Sequence, residues 1–195
     1  MNVFITQAEK RIYNAVQIPS LRKNVTGSTT ASNKYLQCPT DFLSTFSLAA
    51  INPTTGAYTF LLNKDVNFIR EAYPKPTSTG APKYYAIFGP RSDNEAELTF
   101  ILGPTPDAVY STELHYFYYP ESIVTASNTW LSDNYDPALL YGTLVEAYTY
   151  MKGEQDMVVL YNTKFGEALT QLKRLGDGLE RQDAYRSGQA RIPVT

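Results

Sequence analysis

The hydrophobic period changes twice along this chain, and that change restricts the fold more than any other feature. Between residues 41 and 119 large apolar residues recur at every second position: Phe42, Phe46 and Leu48, then Tyr58, Phe60 and Leu62, then Leu98, Phe100 and Leu102, then Leu114, Tyr116 and Tyr118. Ser, Thr or Glu alternates with them, which predicts antiparallel strands with one wet face. Segments 52–56, 74–82, 89–94 and 103–107, rich in Gly, Pro, Asn or Asp, supply the turns between runs. Val66, Ile69 and Tyr73 break the alternation at helical spacing and stop at Pro74, which predicts one short helix.

On both sides of this region the period is 3.6. Thr6 and Glu9 have capping-box spacing and Ala8, Ile12, Ala15 and Val16 follow at helical intervals, so a first helix is expected to end before Pro19. Residues 24–33 are mostly Ser, Thr and Asn with Gly27 among them, which reads as a mobile loop or arm. After residue 119, Asp136 as N-cap and Pro137 at the first helical position open a helix whose stripe is Leu140, Leu144, Tyr148 and Met151. Lys152 and Gly153 stop it. Glu154 and Asp156 sit in the positive first turn of the next helix; Met157, Tyr161, Phe165, Ala168, Leu172 and Leu175 run along one side, and Lys173 and Arg174 precede a stop at Gly176. So short a connection demands an antiparallel hairpin.

The expected fold is therefore α+β: an antiparallel helical bundle, made of the N-terminal helix and the C-terminal helical hairpin, with an inserted small antiparallel β region and an extended C-terminal tail. By residue this is one domain over 1–176, with a helical body at 1–18 and 120–176 and a β region at 35–119, followed by an arm at 177–195. The arm holds three arginines and few apolar residues, so it orders only against another molecule.

Inventory excludes several function classes. A single cysteine, Cys38, closes no intrachain disulfide, and a single histidine, His115, excludes His-paired metal motifs. No cofactor is expected. A net charge of −2 leaves no surplus for polyanion binding, and no apolar run is long enough for a membrane span or an export signal. Sixteen tyrosines against one tryptophan favour surfaces that are wet in one assembly state and covered in another.

Several pieces recur in a known order. Pro82-Lys83-Tyr84-Tyr85-Ala86, Leu102-Gly103-Pro104-Thr105-Pro106-Asp107, Glu113-Leu114-His115-Tyr116-Phe117-Tyr118-Tyr119-Pro120, Asn128-Thr129-Trp130-Leu131, Pro137-Ala138-Leu139-Leu140-Tyr141-Gly142-Thr143-Leu144, and Tyr161 with residues 165–172 together resemble the head-to-tail adaptor (connector) proteins of tailed bacteriophages. Upstream, Cys38-Pro39-Thr40-Asp41-Phe42-Leu43 is similar to that family's Leu-Pro-x-Asp-Phe-Leu element, with cysteine in place of leucine. The resemblance implies a non-enzymatic virion protein at the neck, in a ring of about twelve copies between the portal and the tail or nozzle. Its partners are then itself, the portal protein, the tail or nozzle protein, and duplex DNA that passes without specific binding, with no membrane. A C-terminal arm that touches the portal is also implied; here Arg181, Tyr185, Arg186 and Arg191 are its candidates, with guanidinium groups suited to carboxylates of a neighbour.

For individual residues the structural reading outweighs the chemical one. His115, Phe117 and Tyr119 are candidates for a subunit or tail interface, His115 lacking any nucleophile placed beside it by the sequence. Cys38 reads as a small buried residue. Asn24-Val25-Thr26 fits a glycosylation acceptor in a chain with no export signal. Asp133, Asp136, Glu154 and Asp156 read as helix caps and first-turn charges rather than a metal set. The stripe Leu140, Leu144, Tyr148, Met157, Tyr161, Phe165 and Leu172 is the expected bundle core. Two other classes compete: a tail-associated receptor- or carbohydrate-binding module, with Tyr119 stacking a sugar, and a wall hydrolase, which lacks the carboxylate pair it needs.

Overall fold

The computed structural model describes residues 1–89 and 98–186, with side chains described through Gly178. The chain divides into two compact units, a helical one formed by Met1–Leu21 and Tyr119–Thr195 and a β unit formed by Arg22–Tyr118. Among the described residues there are ten strands in three sheets and six α-helices. This corrects the expected helical bundle with a small β insertion: the strands build a body with its own core over nearly half of the chain. The polar run 24–33 hid part of it. Residues 22–28 form strand β1 (Arg22–Ser28), in which six of seven residues are exposed. An edge strand whose partner supplies the hydrogen bonds needs no apolar alternation, so composition could not distinguish it from a loop.

One antiparallel sheet has the order β1, β10 (Ser111–Tyr118), β3 (Phe42–Ile51), β4 (Tyr58–Phe60). The second has the order β2 (Tyr35–Gln37), β8 (Thr99–Gly103), β7 (Tyr84–Phe88), β5 (Leu62–Asn63), with β5 parallel to β7. A short parallel pair, β6 (Thr79–Gly80) and β9 (Thr105–Pro106), completes the strands. Leu48, Ala50, Leu114 and Tyr116 from the first sheet meet Cys38, Tyr85, Phe100 and Leu102 from the second in one buried cluster. Each fully buried large side chain there contributes about 1.5–3 kcal/mol. Helix α2 (Val66–Ala72), capped by the Asp65 side chain on Asn67 N, packs Ile69 against Ala86 and Ile101 on the other face of the second sheet. That second covering explains why every residue of β8 is buried.

The alternation in β3 fails at two places for a stated reason. His115 pairs with Ser47 but Tyr116 pairs with Thr45, so Phe46 is an extra residue; a second register shift at Phe117/Tyr118 bypasses Leu43. Bulges re-aim side chains. Phe46, expected beside Phe42 and Leu48 in the core, is 59% exposed.

Asp41 anchors the start of β3. Its carboxylate accepts from Lys23 Nζ at 2.7 Å and Tyr116 Oη–H at 2.8 Å, while Phe42 packs edge-on against Phe100. Burial pushes the Asp41 carboxyl up, but the hydrogen bonds from Lys23 and Tyr116 and the lysine charge outweigh it, so the group is held below its ordinary value. The folded pKa thus lies below the unfolded one, and the stabilisation is present above the unfolded value and lost as pH falls through the folded one. Asp41→Asn is therefore expected to lower the melting temperature at pH 7, and the difference from the parent chain is expected to shrink as pH falls below the ordinary carboxyl range. An unchanged difference between the two across that range contradicts the assignment.

In the helical unit α1 (Asn2–Ala15), α5 (Asp136–Tyr150) and α6 (Gln155–Arg186) form the bundle, with short helices α3 (Ile123–Ala126) and α4 (Trp130–Asn134) ahead of the hairpin. Thr6 and Glu9 are interior to α1, so their capping-box reading is corrected. Thr6 Oγ1 donates to Asn2 O, and Glu9, 2% exposed, accepts from Ile123 N at 2.9 Å and so caps the N-terminus of α3. The capping box that does form is Thr129 with Ser132, at α4.

The inward face of α5 is Ala138, Gly142 and Val145, not the expected Leu140, Leu144 and Tyr148; Leu140 is 56% exposed and the other two are half-buried. Large apolar residues suggested one stripe, yet close approach selects the small ones: a Cβ on Gly142 would stand 3.0 Å from Phe165 Cε2 and 3.3 Å from Ala8 Cβ. On α6, Phe165, Ala168 and Leu172 are buried and Met157 and Tyr161 half-buried. Gly176 does not end the helix. It is buried inside α6, where a Cβ would fall 2.4 Å from Gln17 O, and the expected tail is helical through Arg186. The left-handed residue that closes α5 is Lys152, while Gly153 makes room for the Tyr148 ring.

Candidate interaction surface

The outer face of the first sheet carries four aromatic side chains, Phe46, Tyr58, Phe60 and Phe117. In β10 the residues between the buried Leu114 and Tyr116 point outward, so Glu113, His115 and Phe117 share that face. Their partners in β1 are Thr26, Asn24 and Arg22. The bulge brings Phe46 to within 6.1 Å of Phe117, ring to ring, and the Arg22 guanidinium lies 5.2 Å from the first ring and 5.7 Å from the second. At the far edge Tyr58 and Phe60 stack at 6.4 Å, Phe60 being 68% exposed. Arginine stacked on aromatic rings combines cation–π attraction with a large apolar contact, and arginine and aromatic side chains are the types enriched at interface hot spots.

Beside this pair is a polar trio. Ser47 Oγ lies 3.3 Å from His115 Nδ1, His115 Nε2 lies 3.5 Å from Glu113 Oε1, and Asn24 Nδ2 donates to that oxygen at 3.3 Å. No nucleophile neighbours His115 along the chain, but the fold places a serine and a carboxylate next to it. Acyl transfer nevertheless also needs N–H groups aimed at a developing oxyanion in an enclosed site. Here the trio lies on an open sheet face rather than in an enclosed site, and the His115 side chain is 43% exposed. It serves as a cross-strand polar cluster, the wet complement of the aromatic pair.

Cys38 offers no chemistry either: burial pushes its thiol up to about 12, against a small lowering by the Phe100 backbone. Among the described residues no cluster of His, Cys, Asp and Glu is arranged to hold a metal ion, and no helix is long and apolar enough to cross a membrane.

A family model described as SU10 adaptor protein matches residues 1–193. The chain belongs to that family. It is a family of phage head–tail adaptors, so this is a structural phage protein, a virion component that works by contact with other head and tail proteins. No curated protein matches the chain.

Within this adaptor the motifs that carried the resemblance are largely structural: Asp41 and Phe42 fasten β3, Tyr85 and Leu102 fill the sandwich core, and Thr129 starts α4. Of the candidate contact residues, His115 and Phe117 share the outer face, whereas Tyr119 belongs to the helical unit, where its hydroxyl donates to Asn14 Oδ1 and its ring lies 6.5 Å from that of Tyr13. The backbone of Arg181, Tyr185 and Arg186 is in α6, their side chains and the whole of Arg191 lying outside the described residues. Arg22, Phe46, Tyr58 and Phe60 were missed as surface residues. Alternation was visible in β4, but the face it exposes depends on pairing with β3, which no local signal carries.

Proposed function

We propose that this protein is the ring-forming adaptor at the head–tail junction of a tailed phage particle, with about twelve copies between the portal and the tail or nozzle. The ring extends the DNA channel and offers the platform on which the next tail component docks. The family match over residues 1–193 carries this reading. Two features support it. Exposed Phe46, stacked with the half-buried Arg22 and Phe117, has the side-chain make-up of surfaces that bind protein, and a net charge of −2 suits a conduit through which duplex must slide, since a basic lining would hold phosphates by counterion release. In this arrangement the outer sheet face meets the tail or a neighbouring copy, and the end of α6 with Arg181, Tyr185 and Arg186 meets the portal.

Two variants test these roles separately. Phe46→Ala with Phe117→Ala removes exposed rings, so the melting temperature is expected to stay within a few degrees while binding of the tail component falls at least about tenfold. Deleting residues 179–195 is expected to leave the β unit and the hairpin folded and to abolish co-sedimentation with portal rings. Full tail binding by the first variant, or retained co-sedimentation by the second, contradicts the corresponding assignment.

A further inference from the structure

The sandwich is open along one side. β1 is an edge of the first sheet and β2 an edge of the second, and between them runs an open groove of about 380 Å³ lined by Val25, Gly27, Leu36, Cys38, Phe100 and Leu114 among others. The segment 29–34 joins the two strands at one end. Backbone direction along β1 follows from its last bond. Thr29 N donates to Tyr110 O, next to the Ser28–Ser111 pair, so the N–H and C=O groups of odd-numbered residues point at β10. Those of Asn24, Thr26 and Ser28 point away from the sheet. Among the described residues no strand pairs with them, so they form a hydrogen-bonding edge directly beside an apolar trough, the combination that strand addition requires.

The chain itself contains a fitting strand. After Arg186, nine residues follow, and within them Ala190, Ile192 and Val194 alternate with Arg191, Pro193 and Thr195. At ~3.3 Å per residue the five residues 190–194 match the central part of β1. We propose that segment 190–194 of a second copy adds to the free edge of β1 as a parallel strand, with Ile192 and Val194 filling the groove. The source of the strand rests on the ring reading; the site does not. Proline decides the direction. In an antiparallel pair the outward-facing Pro193 would have to donate toward β1, which it cannot do; in a parallel pair its nitrogen faces away and all donors toward β1 come from Ile192 and Val194. Ile192 then lies beside Val25, and Val194 beside Gly27, where a Cβ would stand 3.2 Å from Thr112 Oγ1. Arg191 remains on the outer face, opposite Asn24.

A mixing experiment with full-length chains tests this. One preparation carries Asn24→Cys and the other Arg191→Cys, so a disulfide between positions 24 and 191 necessarily joins two copies; the buried Cys38 remains in place. Mixed under mild oxidation, free and on portal rings, they are expected to give this linked pair, mapped by mass spectrometry. Ile192→Asp in the second chain is expected to reduce the yield at least about tenfold and Ile192→Val to preserve it. Absence of the pair in both conditions overturns the proposal, whether the segment lies elsewhere or on its own chain, as does a yield indifferent to Ile192→Asp. Ring formation scored separately by electron microscopy distinguishes the two failures: rings without the link leave the adaptor reading intact, and a link without rings leaves the groove assignment intact.

Discussion

Leu172→Asp is expected to remove about 4 kcal/mol from the helical unit and to lower its melting temperature by roughly 8–16 °C, while Leu140→Asp changes it by no more than a degree or two. Leu172 is fully buried on α6, on the same face as the buried Phe165 two turns earlier. A carboxylate there loses its hydration without gaining a partner, and protonating it to escape that cost leaves a polar group in an apolar site. Leu140 is directed into water, so the same change there desolvates nothing. The pair is discriminating because both leucines occupy the stripe that the periodicity predicts. Thermal melts followed by helix circular dichroism give the answer, and equal losses in the two variants would mean that α5 is rotated from the orientation described.

Gly176→Ala and Gly166→Ala are expected to have opposite signs. Both glycines are interior to α6, where replacing glycine by alanine favours the helix by about 1 kcal/mol. At Gly166 a Cβ meets nothing within 4 Å, so that gain is realised in full. At Gly176 it would lie 2.4 Å from the carbonyl oxygen of Gln17, a backbone atom held by the short 3-10 turn at Pro19–Leu21. Overpacking of this kind costs about 1–3 kcal/mol or more and exceeds the propensity gain. A net loss of about 2 kcal/mol, some 4–8 °C, is expected at Gly176 against a rise of 2–4 °C at Gly166. Stabilisation by both would show that α6 ends before this contact.

These two glycines show where sequence reading stops. Gly176 follows Lys173 and Arg174 at the end of an apolar stripe, and every local signal marks it as a helix stop; only the nearness of Gln17, some 160 positions away in the chain, makes it a packing residue. The same holds for Glu9, whose capping-box spacing with Thr6 is genuine but whose carboxylate is used by α3, on a distant segment. Elements with strong local periodicity were legible: the helix after Asp65, the hairpin around residue 152, and the strands ending in Tyr118. Polar β1 was not, because its strand character comes from β10. The surface cluster was half legible for a related reason. His115 and Phe117 alternate with buried neighbours and so declare their face, whereas Phe46 is turned outward by a bulge that exists only in the pairing of β3 with β10.

The Asp41 anchor illustrates how motif residues and contact residues separate. Cys38-Pro39-Thr40-Asp41-Phe42-Leu43 helped to reveal the family, yet its Asp and Phe hold the sandwich together, and the residues proposed to touch other proteins lie on the opposite face of the same strands. Changes at Arg22, Phe46 or Phe117 are thus expected to alter assembly without unfolding, and changes at Asp41 or Phe42 to do the reverse.

Negative-stain or cryo-electron microscopy of portal rings incubated with the full-length protein tests the central claim most directly. An added ring of density is expected, coaxial with the portal and of the same rotational symmetry, with the channel open through both. Portal rings that remain bare at saturating protein, with the chain recovered folded and unbound, would contradict it.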